Sequence, residues 1–123
     1  MSFNMQHAEE FRKAYNLKSD RSTRTIQLTL IDEEFNEFCE AERQVFTDVF
    51  KRNDSEALKE LADLVYVCYQ YAANMEWDLD QAMIRVHESN MSKLGDNGKP
   101  IYRADGKVLK GPNYKEPTLT DLV

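Results

Sequence analysis

Apolar residues recur at helical spacing through most of the chain, and the polar residues between them fall on separate faces. Phe3, His7, Phe11 and Ala14 or Tyr15 share one face of a helix predicted over Phe3 to Asn16. Leu17-Lys18-Ser19-Asp20 breaks the pattern, and Asp20 or Ser22 is placed to cap the next helix. That second helix is long, from about Ser22 to Phe50. Leu28, Ile31, Phe35, Phe38 and Val45 form its apolar stripe, with Glu33, Glu37, Glu40 and Gln44 on a different face. After the polar connection Lys51 to Asp54, with Asp54 or Ser55 as cap, a third helix runs from about Ser55 to Met75. From Leu61 onward it is apolar nearly all round and must be covered on most sides. Its polar stripe is Glu56, Glu60, Asp63, Gln70 and Asn74, so Asp63 lies on the edge of an otherwise buried helix. Asp78 or Asp80 opens a fourth helix, about Leu79 to Lys93, with Leu79, Ala82, Met83, Val86 and Met91 as apolar positions. Gly95 to Gly98 ends helical structure. Beyond Pro100, I-Y-R-A-D-G-K-V-L has the signature of a β-hairpin about Asp105-Gly106, and the residues from Lys110 on read as an extended tail. The expected fold is all-α: four to five helices in a bundle over 1–94, hairpin and tail over 95–123, one domain over 1–123.

Composition narrows the function classes. Sixteen basic and 22 acidic residues give a net charge of −6, which argues against binding to duplex nucleic acid. The charge is uneven: residues 1–84 balance to −8 and residues 85–115 to +4. An acidic body with a basic C-terminal region suits a metal bridged to an anionic substrate. No apolar run approaches the roughly 18 residues of a membrane span, and the N-terminus lacks the pattern of a signal peptide. A cytoplasmic protein without membrane contact is expected. Cys39 and Cys68 sit within helical patterns rather than at C-x-x-C spacing and read as reduced core thiols.

The chemistry is concentrated in two acid pairs. Glu34/Glu37 and Glu60/Asp63 are each three residues apart, on one face of their helices. If the two helices pack antiparallel, the pairs face each other as four converging carboxylates. Such a group cannot stay fully ionised without a counter-charge. A hard divalent cation, Mg²⁺ or Mn²⁺, fits an all-oxygen donor set. An acid pair on a helix is commonly just a solvated face, but an acid inside the apolar run of the third helix needs a partner.

Glu33-Glu34-Phe35-Asn36-Glu37, followed after 22 residues by Glu60-Leu61-Ala62-Asp63, resembles the metal signature E-E-x-x-E and E-x-x-D of the all-α nucleoside triphosphate pyrophosphohydrolases. That superfamily includes the MazG proteins, dimeric dUTPases and phosphoribosyl-ATP pyrophosphohydrolase. Val86 to Lys93 resembles its later Asn/Lys motif, and G-K-P-I-Y-R-A-D-G-K-V-L-K-G-P-N-Y is similar to a MazG-like, phosphoribosyl-ATP-pyrophosphohydrolase-like branch. The resemblance covers roughly residues 24–115. It implies a MazG-type bundle in which Glu34, Glu37, Glu60 and Asp63 bind Mg²⁺ and Glu33 orients or deprotonates the attacking water. It further implies that Asn90 and Lys93 touch the phosphates or sugar, with Lys93 in a catalytic role. Lys107 and Lys110 are further substrate-binding candidates. The implied reaction is Mg-dependent hydrolysis of a (d)NTP to (d)NMP and pyrophosphate, with dUTPase or phosphoribosyl-ATP pyrophosphohydrolase as alternatives within the superfamily.

Two other classes compete. A di-iron carboxylate bundle needs Glu-x-x-His pairs, and neither His7 nor His87 has a Glu three residues before it. A non-enzymatic helical adaptor would use the apolar third helix as its interface and would show no Mg²⁺-dependent thermal shift. The same helix, together with the resemblance, predicts a homo-oligomer, dimer or tetramer.

Overall fold

The computed structural model describes residues 3–47 and 54–123. Four α-helices form among them: α1 (Phe3–Ala14), α2 (Arg24–Thr47), α3 (Asp54–Met75) and α4 (Leu79–Met91). The expected end of the second helix at Phe50 and the connection Lys51–Asn53 lie outside the described residues. So do the side chains of Phe3 and Val45, each expected on an apolar face. The chain divides into two compact units, Met1–Trp77 and Asp78–Val123.

In the first unit α2 and α3 run antiparallel. Near the start of α2, Thr23 Oγ1 donates to Asn74 Oδ1 (3.3 Å) and Arg24 Nε to the Tyr71 hydroxyl (2.8 Å). About three to four turns further along, the partners are Glu34 and Glu37 with Glu60. The partner number falls as the α2 number rises, as antiparallel pairing requires. Asp20 accepts from the Ser22 backbone N–H (2.9 Å) and hydroxyl (2.6 Å), which nucleates a 3₁₀ turn at Arg21–Thr23 before α2 begins at Arg24. The α2 start is therefore two residues later than the periodicity suggests.

Gln70 and Asn74, expected as part of the polar stripe of the third helix, are buried. Asn74 is only 1% exposed. Its Oδ1 accepts from Arg12 Nη2 (3.0 Å) and the Asp20 N–H (3.1 Å), while its Nδ2 donates to the Asp20 carbonyl (2.8 Å). Arg12 is also buried, donating from Nη1 to Gln70 Oε1 (3.3 Å) and from Nη2 to the Lys18 carbonyl (2.9 Å). Gln70 Nε2 in turn donates to the Ala8 carbonyl (3.3 Å). This network ties α1, the Lys18–Asp20 turn and the C-terminal half of α3 together. Burial lowers the Arg12 pKa, and the oxygens of Gln70, Asn74 and Lys18 that accept from it are neutral.

Among the described residues few large apolar side chains are fully buried. The buried hydrophobic residues among those described are Ala8, Ala41, Ala57, Ala72, Ala73 and Met75. Leu28 and Phe35 of the expected α2 stripe are 58% and 50% exposed, and Leu58, Leu61, Val65 and Tyr66 of α3 are exposed as well.

In the second unit Asp78 caps α4, its Oδ1 accepting from the Gln81 N–H (3.0 Å). Asp80, the alternative cap, is buried in the first turn. The expected β-hairpin does not form. Among the described residues there is no strand, only an isolated antiparallel bridge between Tyr102 and Val108 around the Asp105-Gly106 turn. The turn chemistry is present, with Gly106 at φ 92° and its N–H bonded to the Arg103 carbonyl (2.9 Å). Every residue from 96 to 110 is exposed, so no apolar face extends the bridge into a ladder.

The tail does find a surface: it runs back along α4. Gly111 N–H donates to the Lys93 carbonyl (2.8 Å) and Ser89 Oγ to the Lys115 carbonyl (2.7 Å). Arg85 reaches the Thr118 carbonyl (2.8 Å) and both carboxylate oxygens of Asp121 (2.6 and 2.9 Å). The Asp78 N–H closes the series on the Leu122 carbonyl (3.1 Å). At Gly111 a Cβ would lie 2.5 Å from the carbonyl oxygens of Lys93 and Leu94, so only glycine lets the tail approach this closely.

Candidate metal centre

The antiparallel packing of α2 on α3 places three of the four acids named from the sequence in one cluster. Glu34, Glu37 and Glu60 each offer a carboxylate oxygen within 4.8 Å of the others. Glu34 and Glu37 reach it because they are one turn apart on α2. Glu60 meets them because it lies on the side of α3 turned toward α2. Glu60 is buried, Glu34 half-buried and Glu37 exposed, so the cluster grades from the helix interface outward.

Asp63 is not part of that group of three. One turn along α3 from Glu60, it accepts from Lys59 Nζ at 2.8 Å, and the same ammonium lies 3.4 Å from Glu60 Oε1. The hydrogen bond to Asp63 and its negative charge, with Glu60 behind them, raise the Lys59 pKa. Sequence reasoning misses Lys59. A signal for it exists, since K-E-x-x-D puts a lysine four residues before an aspartate on the same face.

The electrostatics show an excess of negative charge that these contacts leave uncompensated. The Glu34 carboxyl is held above its ordinary pKa, first by burial, then by the charge and hydrogen bond of Glu37 and the charges of Asp63 and Glu60. Oε2 of Glu34 and Oε2 of Glu60 are buried with no hydrogen-bond partner. Unpartnered buried carboxylate oxygens are costly, and a hard cation is the group that would satisfy both together. The residues present therefore fit a divalent metal with oxygen ligands.

Glu33 is exposed on α2, one turn before Glu37. The remaining predicted residues belong to the second unit. Asn90, in the last turn of α4, is exposed. Lys93 is half-buried, and its backbone is fixed by the bond from Gly111. Lys107 and Lys110 are exposed; Lys110 Nζ stands 4.7 Å over the Tyr114 ring, a cation–π contact within the tail. His87 is on the surface of α4. In the first unit, Trp77 is half-buried, 5.6 Å from the Tyr71 ring and 5.2 Å under the Arg24 guanidinium.

Among the described residues no helix is long and apolar enough to cross a membrane. No curated protein matches the chain. A family model, phosphoribosyl-ATP pyrophosphohydrolase, matches residues 3–90, well over half of the sequence and including all three clustered acids. That family is divalent-metal-dependent. The chain therefore belongs to the phosphoribosyl-ATP pyrophosphohydrolase family, within the MazG-like all-α superfamily, and is a pyrophosphohydrolase acting on phosphoric anhydrides.

Proposed function

We propose that the protein is a Mg²⁺-dependent nucleoside triphosphate pyrophosphohydrolase, converting a (d)NTP and water to (d)NMP and pyrophosphate. The observation that carries this reading is the pair of buried, unpartnered oxygens on Glu34 and Glu60, in one cluster between α2 and α3 in a chain of this family. Glu34, Glu37 and Glu60 would hold the cation, with Asp63 as a fourth ligand. When bound, Mg²⁺ or Mn²⁺ supplies positive charge against phosphate oxygens and acidifies water.

Glu33, exposed one turn before Glu37, is read as the general base. It takes the proton of the water whose oxygen attacks the α-phosphorus, and the bond from that phosphorus to the bridging oxygen of the pyrophosphate leaving group breaks. Asn90 and Lys93 are read as holding phosphate oxygens, with Lys93 offsetting charge that develops on the leaving group and Lys107 and Lys110 adding weaker contacts. Both units are read as one pyrophosphohydrolase domain, a reading supported by a family match that crosses the boundary at Trp77.

The second reading takes phosphoribosyl-ATP as the substrate, and the family match favours it; dUTP is a third possibility that the metal motif leaves open. The assay that separates them is pyrophosphate release from the eight canonical NTPs and dNTPs, dUTP and phosphoribosyl-ATP, each with and without Mg²⁺. Activity on phosphoribosyl-ATP alone would replace the (d)NTP reading. Absence of pyrophosphate release from every one would refute both.

The exposed apolar side chains of α2 and α3 support a homo-oligomer, a dimer or tetramer, that covers them. Light scattering at micromolar concentration tests this; a mass of about one 14.4 kDa chain contradicts it.

A further inference from the structure

The carboxylate cluster already contains a cation. Lys59 directly precedes Glu60 and stands one helical turn before Asp63. Its ammonium is 2.8 Å from Asp63 Oδ2 and 3.4 Å from Glu60 Oε1. The Lys59 side chain is 61% exposed and that of Glu60 only 11%, so the lysine reaches in from solvent over a buried acid. It neutralises the outer side of the centre, while Glu60 Oε2 and Glu34 Oε2 behind it stay without a partner. A divalent ion drawing on Glu60 and Asp63 together, and an ammonium at 2.8 Å from one of them, are like charges competing for the same oxygens.

We propose that Lys59 is the resident counter-ion of this centre, which a divalent cation must displace from Glu60 and Asp63 in order to bind, so that Lys59 sets the metal affinity. The proposal rests on the reading of the cluster as a metal centre. A flexible, largely exposed lysine makes a weak ion pair that can be exchanged. It therefore costs metal affinity several-fold rather than by orders of magnitude. Displacement also predicts a change in the lysine itself: once the cation is seated, the Lys59 amine is returned to solvent.

Two measurements on the substrate-free protein test this. Calorimetric titration with Mn²⁺ should show binding about threefold tighter, or more, in Lys59→Gln than in the wild type. Because removing a positive charge strengthens cation binding even at a distance, the second measurement follows the amine directly. Trace reductive methylation, mapped by mass spectrometry, should modify Lys59 faster with saturating Mn²⁺ than without it, with Lys13 and Lys18 unchanged. Lys59 labelling that Mn²⁺ leaves unchanged or slows overturns the displacement, whatever the affinity does. Equal or weaker Mn²⁺ binding by Lys59→Gln overturns it too. If neither protein binds Mn²⁺, the metal-centre reading itself fails and takes this proposal with it; binding with equal affinity sinks only the role of Lys59.

Discussion

Replacing Asn74 by alanine tests whether the buried polar network, rather than apolar packing, joins α1 and the Lys18–Asp20 turn to α3. The side chain is 1% exposed and holds four partners at 3.1 Å or less: Arg12 Nη2, the Asp20 N–H, the Asp20 carbonyl and Thr23 Oγ1. A hydrogen bond to a charged group contributes about 1.5–3 kcal/mol and a neutral one about 0.5–1.5 kcal/mol. Asp20 is at the surface, where water replaces part of the loss; Arg12 is buried and keeps Gln70 and the Lys18 carbonyl. The expected destabilisation is about 3 kcal/mol, a large share of the roughly 5–15 kcal/mol typical of a domain. With a urea slope of about 1–3 kcal/mol/M, the midpoint should fall by roughly 1–3 M with the slope unchanged. The comparison is made at one fixed protein concentration, since assembly shifts apparent stability. A loss below about 1 kcal/mol in Asn74→Ala would refute this role for the network.

Three further outcomes are expected of the site and the tail. Lys93→Ala should lower kcat/KM by more than tenfold, about 1.4 kcal/mol of phosphate stabilisation, measured by steady-state pyrophosphate release. Gly111→Ala puts a Cβ against two main-chain carbonyls and should destabilise the second unit by about 1–3 kcal/mol, seen as faster amide exchange over 111–122 than over α3. The raised Glu34 pKa makes a signed prediction for metal-free protein: its contribution is fully present below the unfolded value near 4.5 and is lost as pH rises through the folded value. Melting temperature should therefore fall over that rise without metal, and climb with pH over the same window when Mg²⁺ is saturating, because the ligands must be ionised.

Helical periodicity made the four helices and the α2–α3 acid pairs legible, since both depend on neighbours three or four residues away. What escaped it depends on partners far along the chain. Arg12 reads as an ordinary surface cation of α1, and nothing local shows that it meets Gln70 and Asn74 some 60 residues later. Gln70 and Asn74, four apart on an apolar helix, are the visible hint, but periodicity puts them on the same polar stripe as Glu60 and names no partner for them. The Asp105-Gly106 turn was readable from its dipeptide, whereas the absence of a hairpin was not, because a ladder needs a buried face and these residues have none. The path of the tail along α4 hangs on Gly111, Ser89 and Arg85, and only the folded unit reveals those pairings.

The central claim is that carboxylates of α2 and α3 hold the metal that makes this chain a pyrophosphohydrolase. Phosphorus NMR of a (d)NTP incubated with Mg²⁺ and either the wild type or Glu60→Gln tests it most directly. Nucleoside monophosphate and pyrophosphate are the expected first products of the wild type, with no Mg²⁺-dependent turnover by Glu60→Gln at unchanged helix content. Nucleoside diphosphate and orthophosphate as first products, or wild-type turnover by Glu60→Gln, would contradict it.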